Sequence, residues 1–211
     1  WVESDAVEVL HTVERAVAAC LAQTPGEQAL AIGISNQRES VVVWEALTGV
    51  PIGPLVSWQC GRGVDHCAAV RAMGVEARVR EISGLPLDPM FSASKLAWLL
   101  DSVPNGRARA AAGELRAGTV DSWLLWHLTG GDVHATDLTN ASRTQLLDLD
   151  AGEWSPVLLD AFGIPAAVLP RVQPSSSHFG NVRGRGALDG VPIRAMAGDS
   201  HAALVGHGAL R

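Results

Sequence analysis

Apolar positions after Asp5 recur at intervals of three and four residues, which predicts an amphipathic helix. Asp5 followed three residues later by Glu8 has the pattern of a capping box, in which an N-terminal side chain accepts a backbone hydrogen bond. Pro25-Gly26 marks the end of this helix. Its apolar stripe consists of Val9, Leu10, Val13, Val17, Cys20 and Leu21.

Three short apolar runs follow, and they predict β-strands at residues 30–34, 40–44 and 55–58. Thr48-Gly49 supplies a turn between the second and third runs. Because the runs are close together in the chain, we expect an antiparallel meander beside the first helix.

Helical spacing dominates from residue 62 to residue 170. It predicts helices at 62–73, 75–82, 92–100, 121–128 and 156–162. Ser155-Pro156 is a favourable start for the last of these, with a serine N-cap and proline at the first helical position. Polar residues at 170–190 predict loop or irregular strand. A strand at 191–196 and a helix at 199–210 complete an α/β fold.

Composition excludes several classes of protein. Net charge is −6, whereas nucleic-acid binding requires a clustered basic surface. We find no apolar run near the roughly 20 residues of a membrane span and no signal-peptide pattern at the start. Three cysteines are too few for a disulfide framework, which favours a reducing, cytoplasmic location. The absence of an initial methionine suggests that the chain begins inside a longer gene product.

Arg38 and Glu39 lie between two predicted strands, where a tight hairpin would favour Asn-Gly or Asp-Gly. An arginine donates a fork of hydrogen bonds and a glutamate accepts them, so the pair can bind neighbouring hydroxyl groups. The alternative is a solvated turn with an incidental ion pair. Trp58 ends the third predicted strand; its ring could pack against a carbon skeleton or simply belong to the core.

Asp199 follows a predicted buried strand and begins a predicted helix. An aspartate there is a good N-cap. The same position would keep its carboxylate ionised and open to a cleft, where it could accept a proton from a bound alcohol. The two roles are compatible. There is no P-loop and no nucleophile elbow in the sequence.

Several segments, taken in order, resemble the FGGY carbohydrate kinases, and within them the glycerol kinase branch. Residues 34–40 are close to that branch's Asn-Gln-Arg-Glu-Thr segment, and residues 58–62 resemble its Trp-Gln-x-x-Arg element. Residues 90–101 nearly match the family's first signature. The match ends at Ser102, where the family usually has asparagine, glutamate, glutamine or histidine. Residues 118–124, 136–144 and the Gly198-Asp199 pair continue the match.

This resemblance implies ATP-dependent phosphorylation of a polyol or sugar, with Mg2+, in a cleft between two actin-like (ribonuclease H-like) domains. It implies that Arg38, Glu39 and Trp58 contact the substrate, and that Asp199 is the general base and lies at the metal. Met90 and Ser200 occupy substrate positions where glycerol kinases have tyrosine and glutamine. Both changes remove a hydrogen-bonding group, so we hypothesise a substrate other than glycerol.

The resemblance also implies a fold that is incomplete at both ends. The family has a phosphate-binding Asp-x-Gly-Thr hairpin before the position of Trp1 and an adenine-binding domain after Leu210. Residues 1–211 would then be the substrate-binding N-terminal domain without its first strands. We expect this fragment to be inactive alone and to associate, as a homo-oligomer, through exposed strand edges. The alternatives are a kinase for a keto-sugar such as xylulose and a noncatalytic sugar-binding module.

Overall fold

Helices and strands alternate along most of the chain in the computed structural model, which describes residues 1–209. The strands are β1 (Glu3–Ser4), β2 (Ile32–Asn36), β3 (Val41–Glu45), β4 (Leu55–Val56), β5 (Leu115–Thr119), β6 (Ala135–Asp137), β7 (Leu147–Asp148), β8 (Glu153–Trp154), β9 (Arg171–Gln173) and β10 (Ile193–Gly198). The α-helices are α1 (Ala6–Ala22), α2 (Val64–Ala72), α3 (Glu76–Ser83), α4 (Ser92–Asp101), α5 (Gly106–Ala111), α6 (Val120–Leu128), α7 (Leu138–Ala141), α8 (Pro156–Phe162) and α9 (Asp199–Gly206).

The predicted helices are confirmed, with small shifts at their ends. Asp5 caps α1 by accepting hydrogen bonds from the amides of Val7 and Glu8. The other half of the capping box is wrong, because the Glu8 carboxylate binds Arg15 and Thr12 instead of the Asp5 amide. Helix α9 ends at Gly206, and the predicted end at Leu210 lies outside the described residues. In residues 1–209, no helix is long and apolar enough to cross a membrane.

The predicted three-stranded meander is wrong in its first strand: β3 and β4 pair antiparallel as expected, but β2 does not join them. Strand β2 pairs in parallel with β10, whereas β3 belongs to a separate antiparallel sheet in the order β1-β4-β3-β5. The chain leaves β2 and enters β3 through Arg38 and Glu39, and Glu39 has a left-handed φ of 66°. That backbone redirects the chain into a different sheet, so β2 and β3, although adjacent in the sequence, are not neighbours in one sheet.

Strand β3 separates two hydrophobic clusters. Val41 and Val43 pack on one side with α2, α3, α4 and α8, whereas Val42 and Trp44 pack on the other with α1 and α6. Burial on both faces explains why residues 41–44 form a continuous apolar run without alternation. The two clusters hold the ends of β2, β5 and β10 in fixed relation to the surrounding helices.

Candidate functional site

The ends of β2 and β10 bring together two segments that are far apart in the sequence. These strands are parallel, and Asn36 lies opposite Gly198 in their register. Arg38 Nε donates to Asp199 Oδ1 at 3.2 Å across a sequence separation of 161 residues. Carboxyl ends of parallel strands are common places for ligand sites. The structure therefore joins the two polar clusters that the sequence singled out separately.

Asp199 is the first residue of α9, so the prediction that it is the N-cap is wrong; that position belongs to Gly198. Its Oδ1 accepts the Ser200 amide at 2.7 Å as well as Arg38 Nε. Its side chain is 56% exposed, and no donor from residues 1–209 binds Oδ2. One carboxylate oxygen is thus oriented by the protein, while the other is available to a bound molecule.

Ser200 and Gly198 both shape the position of Arg38. Ser200 Oγ accepts a hydrogen bond of 2.8 Å from Arg38 Nη2, so the serine holds the guanidinium although it is shorter than a glutamine. The stem of Arg38 crosses over Gly198, where an added Cβ would lie 2.6 Å from Arg38 Cγ. A side chain at position 198 would displace the Arg38 stem, so glycine there allows Arg38 to lie over the strand end.

Glu39 is buried, and its side chain and backbone are both held. Arg143 Nε donates to Glu39 Oε1 at 2.7 Å, and Ser92 Oγ donates to the Glu39 carbonyl at 3.0 Å. The Arg143 guanidinium also lies 4.9 Å from the centre of the Phe91 ring. A left-handed φ is unfavourable for glutamate, and the contacts with Arg143 and Ser92 hold Glu39 in that conformation. Sequence reasoning did not select Arg143, although the residue lies within the matched 136–144 segment.

Trp58 lies at the surface, whereas Met90 is partly buried. The Trp58 side chain is among the exposed apolar groups, with 38% of the residue accessible, which argues against a core role. Its amide donates to Ser40 Oγ at 3.0 Å. Neither side chain binds Arg38, Glu39 or Asp199 by a hydrogen bond among residues 1–209. Their substrate-contacting roles therefore stay predictions.

Lys95 supports the loop that carries Met90. Its ammonium group is fully buried and donates to the carbonyls of Pro89, Met90 and Phe91, with Nζ–O distances of 3.0 Å to Pro89 and 2.8 Å to Phe91. Burial lowers the pKa of Lys95 to about 7, and the Glu39 carboxylate opposes this shift. Lys95 thus fixes the backbone of residues 89–91 next to the Arg143–Glu39 pair.

The donor set allows a limited test for Mg2+. Residues 1–209 contain no group of three or more His, Cys, Asp or Glu side chains placed to hold a metal ion. Mg2+ in phosphoryl-transfer sites often takes one or two carboxylates together with phosphate oxygens and water. The available Asp199 oxygen fits such a single-carboxylate role, so the predicted metal position is compatible with the geometry.

The proteins that this chain resembles in sequence belong to one family. A sequence model of the FGGY family of carbohydrate kinases, N-terminal domain, matches residues 1–206. A glycerol kinase of Methylibium petroleiphilum is 51% identical over 208 residues, covering 98% of this chain and 42% of that protein. A glycerol kinase of Gluconobacter oxydans is 48% identical over 207 residues, covering 98% of this chain and 40% of that protein. The chain thus spans about two fifths of the length of the relatives it matches.

Solved structures show the same fold. The glycerol kinase of Plasmodium falciparum, crystallised with ADP, superposes with a TM-score of 0.93 at 28% identity over 99% of this chain and 42% of that chain. The xylulose kinase of Rhodospirillum rubrum gives a TM-score of 0.86 at 23% identity, over 100% of this chain and 43% of that one, which supports the fold alone. The expected α/β, actin-like ATPase fold is confirmed, and this chain belongs to the FGGY family of carbohydrate kinases.

Proposed function

We propose that the complete product of the gene encoding this chain transfers a phosphoryl group from ATP to a hydroxyl group of a small polyol such as glycerol. The observation that carries the proposal is the placement of Asp199, with one oriented and one available oxygen, beside Arg38. The similar glycerol kinases support both the reaction and the substrate class. The three cysteines are free, which supports the predicted reducing, cytoplasmic location.

In the proposed reaction, Arg38 donates to hydroxyl oxygens of the polyol and Glu39 accepts from hydroxyl groups, which orients the carbon chain. Asp199 accepts the proton of the reacting hydroxyl group while the oxygen of that hydroxyl group forms a bond to the γ-phosphorus of ATP. The bond between that phosphorus and the oxygen of ADP breaks, so the products are ADP and a polyol phosphate. Mg2+ bound to the phosphates would neutralise the charge that develops on their oxygens.

Two features bear on the choice of polyol. Ser200 holds Arg38 in place, so its substitution for the usual glutamine keeps the guanidinium oriented. Met90 lacks the hydroxyl group of the tyrosine that glycerol kinases have there, so its side chain offers no hydrogen bond to a polyol. The hypothesis of a substrate other than glycerol therefore depends mainly on Met90, and it stays a prediction.

Coupled ADP release by the complete gene product, with glycerol, tetritols, pentitols and ketopentoses, tests the function. Asp199→Asn should lower kcat by about 10²- to 10⁴-fold, the usual contribution of a general base. Asp65→Asn is a matched control, because Asp65 is an exposed aspartate on α2. If the Asp199→Asn variant keeps the wild-type kcat, Asp199 is not the general base. Absence of turnover with every substrate would support a noncatalytic sugar-binding module instead.

A further inference from the structure

Asp137 lies at the centre of a buried hydrogen-bond network that the proposed reaction does not use directly. Its carboxylate is fully buried and accepts hydrogen bonds of 2.6 to 3.1 Å from five donors. The donors are the Thr139 amide and hydroxyl, the Asn140 amide and side-chain nitrogen, and the Ser175 hydroxyl. We name the group formed by Asp137, Thr139 and Asn140 the Asp137 network.

One arm of the Asp137 network reaches the strand that leads to Asp199. Thr139 Oγ1 donates to Asp137 Oδ2 at 2.7 Å and accepts the amide hydrogen of Gly198 at 2.8 Å. Because its hydroxyl hydrogen is committed to Asp137, a lone pair of Thr139 faces the Gly198 amide. That amide belongs to the residue immediately before Asp199. The arm thus fixes the backbone at the start of α9.

The other arm reaches the strand that leads to Arg38. Asn36 and Asn140 exchange hydrogen bonds between their side-chain amides, of 3.0 and 3.3 Å, and both residues are buried. Asn140 Nδ2 also donates to Asp137 Oδ1 at 2.8 Å, which orients the amide. Asn36 is the last residue of β2, two positions before Arg38. This arm therefore fixes the end of the second strand.

Asn36 and Gly198 lie opposite each other in the β2–β10 register. The two arms therefore hold both strand ends at the level where the ladder stops and the Arg38–Asp199 contact begins. Strand ends fray unless other groups bind them, and a misplacement of about 1 Å in a reacting group can lower a rate by about 10²-fold.

We propose that the Asp137 network is a positioning device that sets the separation of Arg38 and Asp199, with Thr139 as its positioning residue for the general base. This inference rests on the proposed kinase function. It assigns no contact between the network and the substrate. It accounts for the burial of an acidic residue whose two oxygens are otherwise costly to remove from water.

Thr139→Val in the complete gene product tests the proposal. The valine keeps the shape but cannot accept from Gly198, so we expect kcat with glycerol or the preferred polyol to fall at least tenfold. The KM for the polyol should change less than kcat. Thr139→Ser, which keeps the hydroxyl group, should restore kcat to near the wild-type value. A similar loss in the serine variant would overturn the proposal.

Thr129→Val is the matched control. The Thr129 hydroxyl is buried, donates to the Leu125 carbonyl at 2.8 Å and accepts the Val133 amide at 3.2 Å, but it lies away from the strand ends. It should reproduce the stability cost of losing such a hydroxyl without the loss of kcat. Equal losses of kcat in Thr129→Val and Thr139→Val would mean that Thr139 has only a structural role.

Hydrogen exchange provides a readout that does not depend on activity. In Thr139→Val, the amide of Gly198 has lost its acceptor, so a peptide covering residues 196–199 should exchange faster than in the wild type and in Thr129→Val. If the wild-type protein shows no turnover, the proposed function fails while this comparison still decides the role of Thr139. Unchanged exchange at Gly198 would overturn the positioning role.

Discussion

Arg38 and Glu39 are adjacent in the sequence, yet each is held by a different part of the molecule. Arg38 contacts Asp199 and Ser200 at the start of α9, whereas Glu39 contacts Arg143 after α7. The left-handed backbone at Glu39 sends the two side chains to different partners. A polyol bound between them would therefore meet a donor and an acceptor that are each oriented in advance.

Arg143→Met should weaken polyol binding without a comparable loss in kcat. The methionine removes the donor to Glu39 Oε1, and a hydrogen bond to a charged group contributes about 1.5–3 kcal/mol. We therefore expect the KM for the polyol to rise about tenfold, measured by coupled ADP release. Arg171→Met is the control, because the Arg171 side chain is exposed and binds only the nearby Gln173 side chain among the described residues. An unchanged KM would mean that Glu39 does not need Arg143.

At the scale of elements, helix α4 and the loop before it form one unit through Lys95. A lysine in the first turns of a helix is unfavourable for the helix dipole. Here three carbonyls of residues 89–91 face the ammonium group and compensate for that position. The helix thereby fixes the loop that carries Phe91, on which Arg143 lies.

Lys95→Met should destabilise the protein by about 3 kcal/mol, since it removes the ammonium donor from one buried and two partly buried hydrogen bonds, and an unsatisfied buried group costs about 1–3 kcal/mol. Urea unfolding would measure the change. Arg80→Met, a substitution of an exposed cation on α3, should change stability by less than about 0.5 kcal/mol. A Lys95→Met variant as stable as the wild type would show that the loop does not depend on the buried cation.

The elements differ in how far the sequence could predict them. Helix α8 was predicted to the residue because proline and glycine bound it and its apolar spacing is local. Helix α5 was missed because residues 106–111 are mostly arginine and alanine and carry no apolar stripe. The β2–β10 pairing was missed because it joins segments far apart in the chain, and local patterns do not contain that information.

The same distinction applies to the candidate site. Arg38 and Asp199 stood out because each follows an apolar run with a charged group. Arg143 and Thr139 did not, because their importance lies in contacts with Glu39 and Gly198 that span 104 and 59 residues. Residues that orient a site are visible only when the fold brings them to it.

At the scale of the whole molecule, Asp121 joins elements on different sheets. It lies in the first turn of α6, is fully buried, and accepts hydrogen bonds from the hydroxyl groups of Thr119, at the end of β5, and Thr136, in β6. Burial raises the pKa of Asp121 to about 6, and the nearby Asp137 adds to that rise. The link between the two sheets therefore includes a titratable group.

The difference in stability between a variant at position 121 and the wild type should show this group, because burial lowers the pKa of His134 to about 4 and gives it an opposite pH dependence that both proteins share. A carboxyl with a folded-state pKa near 6 and an unfolded-state pKa near 3.8 binds its proton more tightly when folded. Its contribution to stability is thus present at low pH and is lost as pH rises from about 4 to about 6. Over that window the loss should approach about 3 kcal/mol, since each pKa unit corresponds to about 1.4 kcal/mol.

Asp121→Asn removes this titration, so the free energy of unfolding of the variant, relative to wild type, should rise between pH 4 and pH 6 and be constant above pH 7. Urea unfolding at half-unit pH steps measures the difference. Asp65→Asn, in an exposed position, should follow the wild-type curve in parallel. The Asp101 carboxyl, whose pKa hydrogen bonding from Arg107 lowers to about 2, acts mainly below this window and is common to all three proteins. Parallel curves for Asp121→Asn and wild type would show that Asp121 does not titrate between pH 4 and pH 6, and that the two sheets are joined by a carboxylate that stays ionised.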